Sequence, residues 1–351
     1  MSELMIRNCP GTLAEGFQTY SPACLRLLFN GRRTSHFLPY DSHNPNNNEE
    51  RAALFENRNR ISISGVQEKL SVMWEKGAIR LTKSGEKGTY ILKPIPRDLD
   101  HVDQVPANEH LTMQIAKQVF KLRVAENALI FFENGEPAYL TKRFDIDRIN
   151  SKKLGKEDFA TLAGKTKETA GDEFKYNFSY EGMADLIKIY VAAYPIALEE
   201  FYKLVIFNFL FSNGDAHLKN FSLLETASGD YQLSPAYDLM NTRIHVKDPE
   251  LALKDGLFKN EYSTKSFEAN GFYAYDDFYE LGIKIGILES RVKKILHEYT
   301  HPQTEVGSLV QRSFLNVEIK ETYLKLYRDR LKTLSYSLKN QKNASYPFDY
   351  L

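Results

Sequence analysis

Apolar and polar positions alternate with a period of two along much of the chain before Asp158, which is typical of β-strands. A period near 3.6 interrupts this pattern, where Leu111, Ile115 and Val119 predict an amphipathic helix over Asn108–Lys121. The pair Asn134-Gly135 between two apolar runs predicts a hairpin turn. The predicted strands are Gln67–Trp74, Ala78–Leu81, Tyr90–Lys93, Ala128–Phe132 and Ala138–Phe144.

The pattern becomes mainly helical after Asp158. The predicted helices are Tyr180–Tyr190, Ala197–Phe211, Asp276–Ile285, Glu289–Tyr299 and Phe314–Leu338, with short strands at Phe221–Leu224, Tyr231–Leu233 and Ala236–Leu239. A sheet-rich part joined to a helix-rich part predicts an α+β, bilobal fold with a ligand site in the cleft between the lobes.

An Asn-rich stretch, Asp41–Glu50, predicts a surface connector. It follows a short N-terminal piece that contains a predicted helix at Pro22–Phe29. We therefore predict an N-terminal extension with its linker at 1–60, a small β-rich N-lobe at 61–144 and a larger helical C-lobe at 145–351.

Composition narrows the class of protein. The chain has 351 residues, and its 46 Lys+Arg balance its 46 Asp+Glu, which argues against direct nucleic-acid binding through a basic surface. No apolar run approaches the ~20 residues of a membrane span, and the first residues contain no secretory apolar region. Two cysteines, Cys9 and Cys24, are too few for a four-ligand zinc site and are interpreted as packing residues. We predict a cytoplasmic protein that does not bind membranes.

The segment Ser212–Asn220 carries the strongest chemical signal. It places Asp215 and Asn220 five residues apart, which is the spacing of the protein-kinase catalytic loop. In that loop the Asp accepts the proton of the attacking hydroxyl, and the Asn oxygen holds magnesium. Asp238 follows eighteen residues later, where kinases keep their main magnesium carboxylate. His217 is interpreted as a structural or positioning residue.

Two features of the predicted N-lobe suit nucleotide phosphates. In the segment Ile61–Leu70 the small residues around Gly65 would let backbone amides approach a phosphate. Lys93 ends an apolar strand, a position that suits pairing with the α- and β-phosphates.

Each of these features also has a simpler interpretation. Asn213-Gly214-Asp215 could be an ordinary turn, Lys93 could extend its ammonium group from a strand end, and Asp238 could cap a local turn. The order of the four features along the chain favours one kinase-like site over four coincidences.

Several strings of the sequence together resemble one family. SISGVQEKL, YILKP, NEHLTMQIAK, LTKRFD, FLFSNGDAHLKNFSLL and LSPAYDL resemble the HipA-family serine/threonine kinases, the toxins of bacterial toxin–antitoxin modules. The similarity runs from about Ile61 to beyond Asp238. The short N-terminal part and the doubled serine, Ser62 and Ser64, resemble HipT, the short toxin of tripartite modules.

The resemblance implies ATP and Mg²⁺ as cofactors and a role for each matching residue. Asp215 would be the catalytic base, and His217 and Lys219 of the same loop would be catalytic residues with it. Asn220 and Asp238 would hold magnesium. The expected nucleotide-binding residues are Ser62, Ile63, Ser64, Gly65, Lys93, Lys142 and Phe144, of which Ser62 and Ser64 would also be autophosphorylated. The family has Glu where this chain has Lys142, so an adenine contact there would rest on backbone groups.

The resemblance also implies partners. The substrate would be a translation component such as an aminoacyl-tRNA synthetase, and HipB-like or HipS-like antitoxins would bind the chain. Two alternatives remain from the residues alone: a small-molecule phosphotransferase, and a nucleotide-binding pseudokinase that acts as a regulatory binding module.

Overall fold

The computed structural model describes residues 6–41, 68–96, 99–147 and 152–339. The predicted phosphate-loop residues Ser62, Ile63, Ser64 and Gly65 lie outside the described residues. The chain forms two compact units, each discontinuous in sequence. Unit 1 contains residues 1–156, 234–248 and 303–324, and unit 2 contains residues 157–233, 249–302 and 325–351. The lobe boundaries at 60 and 144 stay a prediction.

Unit 1 is built on a five-stranded antiparallel sheet with the strand order β2-β1-β3-β5-β4. The strands are β1 (Leu70–Glu75), β2 (Ala78–Leu81), β3 (Tyr90–Lys93), β4 (Asn127–Phe131) and β5 (Pro137–Lys142). Helix α2 (Val105–Gln118) packs against β4 and β5. Pro94, which cannot donate to a strand partner, directly follows the last residue of β3.

The N-terminal segment completes the core of this sheet. Helix α1 (Pro22–Phe29) begins at the N-cap Ser21, whose side chain accepts a hydrogen bond from the Cys24 amide. The hydroxyl of Tyr90 on β3 donates to the Leu28 carbonyl at 2.9 Å. The Tyr20 hydroxyl donates to the Leu129 carbonyl at 2.8 Å. These buried bonds attach the segment to both β3 and β4.

Cys9 and Cys24 lie beside each other in the N-terminal segment. Both are buried, as expected for packing residues. The Cys9 sulfur accepts hydrogen bonds from the backbone amides of Gly11, Thr12 and Ser21 at 3.4, 3.4 and 3.1 Å. Hydrogen bonds with the side chains of Cys24, Ser21 and Thr12 and with the Ser21 backbone amide outweigh burial and lower the pKa of the Cys9 thiol.

The close packing at Gly11 gives a first testable prediction. A Cβ atom on Gly11 would lie 2.1 Å from the Cys24 sulfur, so Gly11→Ala must displace a buried side chain. We expect the free energy of unfolding to fall by about 1–3 kcal/mol in urea denaturation. Gly307→Ala is the matched control, because a Cβ there meets nothing within 4 Å, and it should stabilise its helix by about 0.5–1 kcal/mol. Equal effects of the two variants would contradict this account of the packing.

Unit 2 is mainly helical. A three-stranded sheet, in the order β6-β7-β8, contains β6 (Lys156–Asp158, which starts at the last residue of unit 1), β7 (Ser222–Glu225) and β8 (Tyr231–Leu233). Its helices are α3 (Phe159–Leu162), α4 (Lys167–Ala170), α5 (Tyr180–Tyr190), α6 (Tyr194–Leu210), α7 (Lys265–Asn270), α8 (Tyr275–Lys284) and α9 (Glu289–Thr300). From Leu204 to Leu210 every residue of α6 is buried, so this end of the helix forms a central part of the unit 2 core.

Helix α10 (Thr304–Arg312) belongs to unit 1, and α11 (Val317–Ser335) contributes residues to both units. The sequence pattern missed α10 and placed the start of the last helix at Phe314. Among the described residues, no helix is long and apolar enough to cross a membrane.

Some predicted elements differ from the structure for clear reasons, as two examples show. Helix α2 begins at Val105, three residues before the predicted start, because Pro106 fits the first turn, where no backbone N–H is needed. Ala236–Leu239 is not a strand. Asp238 has φ of +57°, which is left-handed rather than extended backbone, and only Ala236 forms an isolated bridge, to Val124.

Candidate functional site

A buried ion pair connects the sheet of unit 1 to its helix α2. The Lys93 Nζ at the end of β3 lies 2.6 Å from Oε1 of Glu109 on α2, and each side chain is only 3% exposed. Desolvating two charges is expensive, so such a pair persists only with good geometry and further partners. Asp238 is a further partner of Lys93.

Asp238 is the third member of this cluster. Its Oδ1 lies 2.5 Å from Lys93 Nζ, and its Oδ2 lies 3.3 Å from Lys69 Nζ. The left-handed backbone at Asp238 is uncommon for a residue with a side chain, and such strain is concentrated at functional sites. Two residues that were predicted separately, Lys93 and Asp238, are thus in direct contact.

Opposite charges in the cluster stabilise the charged forms of Lys93 and Asp238. Burial would raise the pKa of the Asp238 carboxyl, but the Lys69 and Lys93 ammonium groups outweigh it and hold that pKa well below its usual range. Burial would lower the pKa of Lys93, but Asp238 and Glu109 keep it above its ordinary value. Burial raises the pKa of Glu109, and Lys93 only partly opposes this. Lys93 and Asp238 therefore each favour the charged form of the other.

Asn108, which precedes Glu109, fixes the segment that follows Asp238. Its side chain donates to the Asn241 carbonyl at 2.9 Å and accepts from the Asn241 amide at 3.2 Å. The Nδ2 atom of Asn108 also lies 2.9 Å from Nε2 of His245. This fully buried side chain therefore holds α2 and the Asp238 segment in one arrangement.

The predicted catalytic loop of unit 2 follows directly after α6. Asp215 has a half-exposed side chain, and its Oδ1 accepts a 2.7 Å hydrogen bond from the Tyr176 hydroxyl. Asn220 ends a 3₁₀ helix (Leu218–Asn220), and its Oδ1 accepts from the His217 amide at 3.2 Å. The Asn213 side chain donates to Asn208 Oδ1 on α6 at 2.9 Å, which anchors the start of the loop.

The other two loop residues have supporting positions. His217 is buried, its Nε2 lies 3.9 Å from Asp215 Oδ1, and its ring contacts the Tyr176 ring edge-on at 5.2 Å. Lys219 extends its ammonium group to 6.0 Å from the ring of Phe174. The loop therefore presents the Asp215 carboxylate, while His217 and Lys219 pack beside it.

The two expected adenine-binding residues have different surroundings. The Lys142 side chain donates to Asn30 Oδ1 at 2.7 Å and to the Leu27 carbonyl at 3.3 Å, so it binds the end of α1. The Phe144 ring packs against Tyr237 at 5.6 Å, next to Asp238 in sequence. The Lys142 side chain is thus committed to α1, and the expected backbone contact to adenine stays a prediction.

The chemistry of the oxygens fits a hard cation. Asp238 already balances two ammonium groups through both of its carboxylate oxygens, and Asn220 supplies a neutral amide oxygen. Carboxylate and amide oxygens are the protein ligands that Mg²⁺ accepts. By its chemistry, each of these two side chains is a suitable ligand for the predicted magnesium ion.

Sequence reasoning missed three residues of these clusters: Lys69, Glu109 and Tyr176. Glu109 gave no signal in the sequence, because the burial of its helix from Val105 to Ala116 is known only from the structure. Lys69 follows two other polar residues, and Tyr176 lies in a run of alternating aromatic and polar residues, so neither position stood out.

Comparison with known proteins gives the family. The family model of the HipA-like C-terminal domain matches residues 61–305. A putative kinase of Haemophilus influenzae is 29% identical over 292 residues, covering 78% of this chain and 82% of the relative. The serine/threonine-protein kinase toxin HipA of Shewanella oneidensis is 24% identical over 269 residues, covering 72% of this chain and 59% of the relative.

A solved structure shows the fold. HipA in the Shewanella oneidensis MR-1 complex of HipA, HipB and operator DNA matches with a TM-score of 0.56 at 20% identity, covering 77% of this chain and 63% of that chain. The present chain therefore spans less than two thirds of each Shewanella protein. The likeness confirms the predicted kinase-like α+β fold. Since the family model matches more than half of its length, the chain belongs to the HipA-like C-terminal domain family.

Proposed function

We propose that this protein is an ATP- and Mg²⁺-dependent protein serine/threonine kinase. The observation that carries the proposal is the buried cluster of Lys93, Glu109 and Asp238. Protein kinases need a strand lysine paired with a helix glutamate, together with a magnesium-binding Asp, for phosphoryl transfer. The names of the Haemophilus and Shewanella relatives support the same activity.

Each residue has a separate task in the proposed reaction. Lys93, fixed by Glu109, would bind the ATP phosphates, and the segment of Ser62 and Ser64 would cover them. Asp238 and Asn220 would hold magnesium, which neutralises charge on the β- and γ-phosphates. Asp215 would accept the proton of the attacking hydroxyl at its carboxylate. Catalysis then consists of orientation and electrostatic stabilisation.

The phosphate acceptors and partners form the second part of the proposal. We expect autophosphorylation at Ser62 or Ser64 and phosphorylation of a translation component such as an aminoacyl-tRNA synthetase in the cytoplasm. The Shewanella HipA occurs in a complex with HipB and operator DNA, which supports a HipB-like antitoxin partner here. HipT-like character, and with it a HipS-like partner, belongs to the same proposal. DNA association would go through the antitoxin, without direct contact.

Mass spectrometry tests the activity directly. Purified wild type and Asp215→Asn are incubated with Mg-ATP, and intact mass and phosphopeptides are measured. We expect phosphate on Ser62 or Ser64 in the wild type only, because Asp215→Asn lacks the proton acceptor. ATP binding without any phosphate on the protein would instead favour a small-molecule phosphotransferase or a pseudokinase. Absence of ATP binding would refute the site.

A further inference from the structure

The backbone of Tyr176 is fixed by hydrogen bonds to residues on either side of it in the sequence. It ends a 3₁₀ helix (Phe174–Tyr176), and its carbonyl accepts hydrogen bonds from the Lys254 amide at 2.9 Å and the Phe178 amide at 3.0 Å. The ammonium group of Lys219 covers the ring of Phe174 at the other end of the same helix. The backbone position of Tyr176 is therefore set by contacts that do not involve Asp215.

This hydroxyl engages one defined oxygen of Asp215. It donates to Oδ1 at 2.7 Å, and the Nε2 atom of His217 lies 3.9 Å from the same oxygen. In the described part of the chain, Oδ2 of Asp215 accepts no hydrogen bond, and half of this side chain is exposed. One carboxylate oxygen is thus fixed, and the other is available to an incoming hydroxyl.

The two aspartates of the proposed site differ in the charge of their partners. Asp238 is bound by two ammonium groups, so its surroundings are those of an anionic oxygen ligand that would hold the proposed metal. Asp215 is bound by a phenol, which orients a carboxylate without itself neutralising the negative charge. A proton acceptor needs that charge, and it also needs a fixed orientation toward the donor.

We infer that Tyr176 is a positioning residue for Asp215: its hydroxyl holds Oδ1 so that Oδ2 faces the acceptor hydroxyl. The inference rests on the proposed kinase function. It assigns Tyr176 no contact with ATP or with the protein substrate, so its removal should slow phosphoryl transfer without changing nucleotide binding.

The test is Tyr176→Phe, which removes a single oxygen atom. We expect the single-turnover rate of autophosphorylation with saturating Mg-ATP to fall about 10- to 100-fold, which corresponds to a loss of about 1.4–2.7 kcal/mol of transition-state stabilisation. The Kd for ATP and the melting temperature should not change. Tyr279→Phe is the matched control, because the Tyr279 hydroxyl donates to the exposed Glu289 at 2.8 Å in the same unit, and it should behave as wild type.

The other outcomes would overturn the inference. A Tyr176→Phe rate within twofold of wild type would show that Asp215 needs no such support. A rate that falls together with ATP affinity or melting temperature would assign Tyr176 to the fold. A wild type that transfers no phosphate would refute the proposed function itself, which is a different failure from either of these.

Discussion

Lys93→Met should lower the free energy of unfolding by about 3–5 kcal/mol, the usual cost of removing one partner from a buried ion pair. The carboxylate oxygens of Glu109 and Asp238 lie 2.6 and 2.5 Å from the same ammonium nitrogen, so they can be at most about 5 Å apart. Without Lys93 they would repel each other in a site from which water is largely excluded. Urea denaturation followed by circular dichroism measures the loss.

A second substitution separates stability from activity. Lys93→Met with Glu109→Gln removes the buried repulsion, so we expect the double variant to recover at least half of the lost stability. It should still transfer no phosphate, because the phosphate-binding ammonium group is absent. Lys117→Met, on the helix α2 that carries Glu109, is the matched control for Lys93→Met. Lys117 pairs with Glu126 at 2.6 Å but is 29% exposed, so its loss should cost about 1 kcal/mol or less. Equal costs for Lys93→Met and Lys117→Met would contradict the buried-pair account.

Asp238→Asn should reduce phosphoryl transfer by about 10³-fold, because an amide replaces the anionic ligand of the proposed metal. A loss of about 4 kcal/mol of transition-state stabilisation corresponds to this factor. The rate of autophosphorylation measures the effect. Asp172→Asn is the control, because Asp172 pairs with Lys167 on the surface, and that variant should keep the wild-type rate.

We also expect the stability that the Asp238 carboxylate contributes to the folded protein to depend on pH. The pKa of Asp238 in the folded protein lies below its ordinary value of 3.8, so its ionised form stabilises the fold above that pH. This contribution is lost as the pH falls through the lower, folded-state pKa. The difference in unfolding free energy between wild type and Asp238→Asn should therefore be constant near neutrality and narrow below about pH 4. A difference that stays constant down to pH 3 would disprove the charge coupling.

Much of the site could be predicted because its residues carry local signals. Asp215 and Asn220 lie in one short loop, and Lys93 ends an apolar strand, so spacing and pattern identify them. The contact between Lys93 and Asp238 joins residues that are distant in sequence, and only the order of motifs suggested it. Tyr176 could not be found in this way. It lies 39 residues before Asp215 in a helix of three residues, which is too short for a period.

The errors in the fold have a similar origin. Helix α2 is buried from Val105 to Ala116, so its polar residues do not mark a solvent face, and the helical period gave no reason to single out Glu109. The residues around Asp238 alternate as in a strand, but a left-handed backbone at one position ends any strand there. In both places, tertiary contacts of polar groups decide the outcome, and a hydrophobic pattern does not contain them.

Unit 1 consists of segments that are distant in sequence, which affects how it folds during synthesis. Lys93 and Asp238 are separated by 145 residues, and Thr112 bonds to Tyr323 across 211 residues. At a synthesis rate of about 5–20 residues per second, the strand that carries Lys93 is made roughly 7–30 seconds before the carboxylate that it binds. Helix α2, which packs against α10 and bonds to Tyr323 of α11, must wait still longer for these two helices. Newly made chains therefore pass through a period with exposed apolar strands and no assembled site, in which chaperone binding would decide how much active protein the cell obtains.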